Sequence, residues 1–332
     1  MSAAVLTRVG LGASAGTAAR VAWRIARSLI SLVLVLFVTA SLTFVVMELA
    51  GGDPVSAVLG ENAVIDEATR QAVIAQYGLD QPIWIRYLDY LSGLPFGDFG
   101  LSYVQRKPVS EVLAVGFAPT AQLALAAAVV AIVIALFVGL GTSRTRPVPR
   151  FIAQALELVL VSTPTFWLGI ILLTIFGFGL RWFPIWGDDG WQSLVLPAFA
   201  LGLPIAAMLA QVIREGADRA ESEPFVLSAR ARGTSDTRVR YVHILRHAAG
   251  PALNVAGLVI GGLLGGAVLT ESVFGRAGLG SIALQAIVRR DLPVVLAVVL
   301  VSATVYVIVS TITDLLQTLL DPRTAHAERR AV

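Results

Sequence analysis

Cysteine is absent from the 332-residue sequence, which excludes disulfides and thiolate metal sites. Charge is scarce too: Asp, Glu, Lys and Arg make up 14% of the chain, against roughly 25% in an average soluble protein. Histidine occurs three times, at His243, His247 and His326, too thinly to suggest a metal site or proton relay. No G-x-x-x-x-G-K-[ST] phosphate loop occurs, so ATP binding and hydrolysis are not expected of this chain. No nucleophile–base arrangement argues for an enzyme either.

What the chain does hold is apolar sequence: 56% hydrophobic residues and a mean hydropathy of +0.79. Six segments are free of Asp, Glu, Lys and Arg: Ser28–Met47, Val112–Ser143, Leu158–Leu180, Gly190–Ile213, His247–Thr270 and Leu292–Thr313. Each reaches the ~20 residues that a helix needs to cross a hydrocarbon core of ~30 Å. A soluble protein has no interior for six such helices, so an all-α polytopic membrane protein with six spans is expected. The first run is too long for a signal-peptide core, and no clean small-x-small cleavage site follows it, so it is read as a retained span.

Orientation follows from the basic residues. With both termini cytoplasmic, 17 of the 25 Lys and Arg residues fall on the cytoplasmic side, seven of them from Arg214 to Arg246. That bias obeys the positive-inside rule. The expected division is a cytoplasmic segment 1–27, a first span 28–48, an external helical loop 49–111, a five-span core 112–322 with a cytoplasmic loop 215–247, and a cytoplasmic tail 323–332. The net charge of +3 then reports topology, and a nucleic-acid partner is not expected in a membrane-embedded host.

Within the external loop, Asp66 can cap a helix through Tyr77 that stops at Gly78, and Pro82 can open a second helix ending at Gly93. This pattern suits either a small cap over the outer mouth or a simple packed loop. Ser162-Thr163-Pro164 predicts a kink in the third span, serving packing or gating. Gly257, Gly261 and Gly265 recur every fourth residue in the fifth span, a spacing that lets helix backbones approach closely. Glu271 ends that span; it is either solvated at the interface or lines a pathway. A short helix over Ser281–Val288 is expected in the loop that follows.

The most unusual passage is Ala229 to His247, with five arginines and two histidines between apolar runs. Ser222-Glu223-Pro224 predicts a helix start, Phe225–Arg232 continues it, and Gly233 can end it in a left-handed conformation. Thr234, Ser235 and Asp236 can cap a second helix through Arg246. A helix this short is not stable alone in water, so it needs something to dock against. Phe225, Val226 and Ala229 offer an apolar face, while Arg230, Arg232, Arg238 and Arg240 offer charge. Composition alone leaves the alternative of a solvated loop that anchors topology.

The residues Ser-Ala-Arg-Ala-Arg-Gly (228–233), followed by His243-Ile-Leu-Arg246 and Pro251, resemble the cytoplasmic "EAA" loop of ABC importer permeases, in its dipeptide/oligopeptide branch. Other pieces follow in the family's order: Tyr-Gly-Leu-Asp-Gln-Pro (77–82), Gly-Asp-Phe-Gly-Leu-Ser (97–102), Pro-Thr-Ala-Gln-Leu-Ala-Leu (119–125) and Thr-Pro-Thr-Phe (163–166). Glu-Ser-Val-Phe-Gly-Arg-Ala-Gly-Leu-Gly (271–280), Arg-Arg-Asp-Leu-Pro-Val-Val (289–295) and Leu-Asp-Pro-Arg (320–323) continue the series. The chain resembles the first of the two permease subunits of such an importer.

That resemblance implies a type I importer permease fold in the bacterial cytoplasmic membrane. It implies a second homologous permease subunit, two cytoplasmic P-loop ATPase subunits or domains, and an extracytoplasmic substrate-binding protein as partners. ATP and Mg2+ would be bound by the ATPases, with no cofactor in this chain. Leu227, Ser228, Ala229 and Gly233 fall on the E-A-A…G places of the motif. Leu227 replaces the acid, so Arg230 or Arg232 is expected to carry the polar contact, with Ala229 allowing close approach. His243 and Arg246 complete the ATPase-coupling set; Gly257, Gly261, Gly265 and Glu271 are the packing or pathway candidates. The cargo implied is a di- or oligopeptide, the alternatives being a nickel chelate, glutathione or another small solute.

Overall fold

The computed structural model describes residues 26, 29–46, 48–49, 55, 67–78, 80–143 and 147–320. Most of the 1–27 segment, the Asp66 cap and the 323–332 tail lie outside the described residues. Among those described, all regular structure is helical, apart from one isolated bridge between Leu101 and Pro108.

Among the described residues, four helices are long and apolar enough to cross a membrane: α1 (Leu29–Val46), α4 (Val109–Gly141), α7 (Gln192–Glu221) and α12 (Leu292–Leu320). Between α1 and α4 lie α2 (Glu67–Tyr77) and α3 (Ile83–Gly93), at the expected positions. Gly78 is left-handed at the end of α2, while Pro82 sits one residue ahead of α3 in extended backbone. Together α2 and α3 give the segment between α1 and α4 real helical structure. α3 is tied to α1 by Phe44 against Tyr87 and Tyr90, with ring centroids 5.3 and 6.1 Å apart, and by an Arg86–Glu48 pair at 3.1 Å.

The third apolar segment is not one straight span. α5 (Pro147–Ser162) and α6 (Thr165–Leu172, extended by a π-helical turn Leu173–Gly179) meet at 109°. Pro164 stands in extended backbone at the break, and the Thr163 hydroxyl donates back to the Val159 carbonyl. Lost helix hydrogen bonding and a competing side-chain bond account for a corner where a kink was expected. The bent pair counts as a fifth crossing only if its two limbs are one span.

The fifth apolar segment is also divided. α9 (Leu245–Gly261) and α10 (Leu263–Phe274) are separated at Gly262, where adjacent glycines give the helix its weakest backbone. α9 is entered from Asp236–Arg238 through a π-helical turn, Val239–Ile244. Between α10 and α12 lies α11 (Leu279–Val288), two residues longer at its start than expected. The short helix α8 (Pro224–Ala231) sits between α7 and this entry.

α7 is the centre of the bundle: 67% of its apolar stretch is buried, against 11% for α1. Its main partner is α4, through small residues at four-residue spacing. Ala127, Ala131, Ala135 and Gly139 on α4 are all buried, as are Gly202, Ala206 and Ala210 on α7. A Cβ added at Gly202 would lie 2.8 Å from the Ala127 carbonyl, and one at Gly139 would lie 2.9 Å from that of Ala210. Where lipid removes the hydrophobic drive, contact at this range is what holds helices together.

Candidate functional site

α8 is eight residues long and projects from the end of α7. Glu223 is extended before it, Pro224 is its first residue, and Gly233 follows it at φ 77°. The Gly233 amide donates to Arg230 O at 2.9 Å and the Thr234 amide to Ala229 O at 3.2 Å. These paired bonds are a Schellman cap, which requires the left-handed residue that glycine supplies without a Cβ penalty.

Direction of burial corrects one expectation. Val226 and Ala229 are 2% and 1% exposed, in one core with Ala217 and Ala220 of α7 and with Val239 and Ile244. Ala229 therefore permits close approach to the chain's own helices and is not on the outer face. The outer face carries Leu227, 74% exposed, with Ser228, Arg230 and Arg232 also exposed. Phe225 is half-buried and stacks on the His247 ring at 4.5 Å.

The arginines divide into tethered and outward groups. Arg230 Nε donates to Asp236 Oδ1 at 2.9 Å, so Asp236 serves α8 rather than capping its own helix; Ser235 makes no side-chain cap. Arg240 lies 3.7 Å from Glu221, which is buried at the end of α7. His243 is half-buried, and Arg246 is exposed.

One layer below is a polar cluster that sequence reasoning missed. Arg214 of α7 donates to both carboxylate oxygens of Glu157 on α5, one at 2.9 Å, and through Nε to Thr142 Oγ1 at 2.7 Å. Both charged side chains are under 5% exposed. Arg150 and Asp218, at 2.8 Å, form a second and more open rung. Glu157 and Arg214 each border an apolar run, where they read as solvated span ends; their separation by 57 residues leaves no local signal. A buried pair is strongly destabilising to break because it strands a charge, although intact it adds little over a well-packed apolar pair.

At the opposite end, Glu271 is fully buried rather than solvated. It accepts a hydroxyl bond from Thr120 at 2.5 Å and the Ser281 amide at 3.1 Å, while Thr120 accepts the Leu279 amide at 2.8 Å. Together they satisfy the first turn of α11, where a carboxylate also meets the positive end of the helix dipole. Asp291 does the same for the loop before α4, accepting the Ser102 hydroxyl and the Tyr103 and Val104 amides. Burial, the largest cause, pushes the adjacent Tyr103 phenol above its ordinary range.

Within this chain the glycine stripe is packed at one end only. A Cβ at Gly257 would overlap the Thr313 side chain of α12, whereas one at Gly265 would meet open space. Gly261 immediately precedes the break at Gly262 between α9 and α10. The packing stripe of this fold is the alanine row of α4, equally visible in the sequence at a period of four.

Residues 131–326 match the family described as "Binding-protein-dependent transport system inner membrane component". Residues 22–124 match the corresponding N-terminal family. The glutathione transport system permease protein GsiC of Salmonella choleraesuis (strain SC-B67) is 34% identical over 297 residues, covering 89% of this chain and 96% of that protein. GsiC of Escherichia coli (strain K12) is 33% identical with the same coverage. A solved inward-facing structure of the MetNI methionine ABC transporter overlaps 63% of this chain and 96% of its own, at a TM-score of 0.46 and 18% identity.

Proposed function

The chain belongs to the family of binding-protein-dependent transport system inner-membrane components, and from that premise we propose that it carries small peptides into the cell, glutathione among them, by alternating access driven by separate ATPase chains. The peptide reading rests on the resemblance of its motifs to the dipeptide/oligopeptide branch. Glutathione enters because the similar permeases named above serve its transport. ATP and Mg2+ belong to the partner ATPases in this reading, and the chain itself is not catalytic. A second homologous permease and an external binding protein complete the assembly, whose α8 end faces the cytoplasm.

The observation that carries the proposal is the two-sidedness of α8. Its inner side, Val226 and Ala229, shares one core with α7 and the start of α9. Its outer side shows Leu227 among arginines, a small apolar contact ringed by charge. A partner gripping the outer side therefore moves the inner side and, through it, the central helix. Such an element transmits work only if the two states differ in its contacts; docking on closing ATPases supplies that difference. The buried Glu157–Arg214–Thr142 cluster joins α4, α5 and α7 just beneath, so motion at α8 reaches three helices together.

Affinity purification from the native host, under gentle solubilisation, tests the assembly. Recovery of P-loop ATPases and a related permease is expected, with ATP-dependent uptake of labelled glutathione or dipeptide by the reconstituted complex. A chain recovered without ATPases across several detergents would contradict the reading.

A further inference from the structure

The loop between α10 and α11 carries one cation that the structure leaves half-used. Arg276 is 3% exposed. Its Nη2 pairs with Asp188 Oδ1 at 3.2 Å, while Asp188 Oδ2 accepts the Ala277 amide at 2.9 Å, so that carboxylate is engaged on both oxygens. Nε and Nη1 of Arg276 are buried with no hydrogen-bond partner among the described residues. A guanidinium offers its donors as a planar fork matched to a carboxylate.

Arg276 lines a cavity of about 460 Å³ at the end of the bundle opposite α8, shared with Gln105, Trp186, Ser272, Ser281 and Gln285. That volume is in the range of small-molecule sites and exceeds what one side chain of a partner protein fills. The lining has the make-up of such a site: mostly apolar surface with a few convergent amides and hydroxyls. Glu271 also borders it, its carboxylate already engaged by Thr120 and Ser281. With Asp188 and Glu271 beside one arginine, the surroundings favour a solute carrying both charges over a simple anion.

We propose that Arg276 reads the carboxylate of a small zwitterionic solute, an amino acid or short peptide, in a subsite at the outer end of this chain. The proposal rests on the transport reading above and adds to it a specificity-determining residue. Arg276 is held for that role by Asp188, which engages Nη2 and leaves the Nε and Nη1 donors without a partner among the described residues. The Gly275 turn sets Trp186 against the same loop: any side chain at 275 would overlap its ring.

The test uses the full chain, purified with the subunits that stay bound and freed of binding protein, in lipid nanodiscs. Glycylglycine and glycylglycinamide are titrated while tryptophan fluorescence is followed, since Trp186 borders the cavity. The acid is expected to saturate, and the amide to bind at least about tenfold more weakly, the scale of a lost charge-assisted hydrogen bond. Arg276→Gln combined with Asp188→Asn, which removes both charges together, is expected to abolish that discrimination; Arg276→Lys retains part of it. Equal binding of acid and amide to the unaltered chain, no binding of either, or full discrimination in the double variant would each overturn the proposal. The peptide comparison needs no substitution and survives a variant that fails to fold. ATP-dependent uptake by proteoliposomes is measured separately: failure there with discrimination intact sinks the transport reading and not the subsite.

Discussion

The two ends of the helix bundle use their acidic residues in opposite ways. At the α11 end, Glu271 and Asp291 accept backbone N–H groups, and Asp188 accepts one more; all three tie loops to fixed positions. At the α8 end, Asp236 and Asp218 face arginines nearer the surface, and among the described residues the acid–base contact with both side chains buried, Glu157 with Arg214, lies a layer below α8. α8 itself is held by Val226 and Ala229, the Phe225–His247 stack, the surface Arg230–Asp236 pair and a backbone cap. Acids on backbone donors make a rigid rim, whereas surface pairs are exchangeable and screened by salt. The difference teaches where movement is permitted: the α11 end is clamped, and α8 is a light attachment on a firm platform.

The platform is the first place to break that contrast. Glu157→Ala strands the Arg214 guanidinium and is expected to cost about 3–5 kcal/mol in denaturant unfolding of the micellar chain. Glu157→Leu together with Arg214→Met should recover most of the loss. At the clamped rim, Glu271→Ala leaves the Thr120 hydroxyl and the Ser281 amide without an acceptor, for about 2–4 kcal/mol by the same measurement. Gly233→Ala forces a Cβ into the left-handed turn and should cost about 1–2 kcal/mol, seen as faster hydrogen exchange of α8 amides. The smallest effect on stability is expected from Leu227→Asp, within about 0.5 kcal/mol because the side chain is already solvated. Yet it should lower ATP-dependent uptake more than any of the others per unit of stability lost. Uptake that simply followed stability across the four single variants would erase the distinction between platform and attachment.

Much of this was legible in the sequence for reasons of length and backbone chemistry. Long uncharged runs located α4, α7 and α12, and Pro224 with Gly233 bracketed α8 because both act through their own φ. What escaped were features made by distant residues. Glu157 with Arg214 and Arg276 with Asp188 join segments far apart in sequence, and each member alone looks like an ordinary boundary charge. The partner of α8 was hidden as well: Phe225, Val226 and Ala229 read as one apolar face, but nothing local says that this face packs on the chain's own α7. Ala229 was assigned to contact with a separate chain on the strength of the motif alone. The glycine row at 257, 261 and 265 drew attention by composition, but the break at Gly262 divides it, while the plainer alanine row of α4 packs against α7.

The central claim, that the outer face of α8 is the docking surface for a separate ATPase, can be met with a single thiol. The chain has no cysteine, so Leu227→Cys introduces one reactive site and Ala229→Cys a buried control two residues away. With a short bifunctional cross-linker on intact membranes, the account predicts an adduct between residue 227 and a P-loop ATPase that changes in yield when ATP is added, and none from residue 229. An exposed thiol at 227 that labels freely with a small maleimide but captures no ATPase would contradict it.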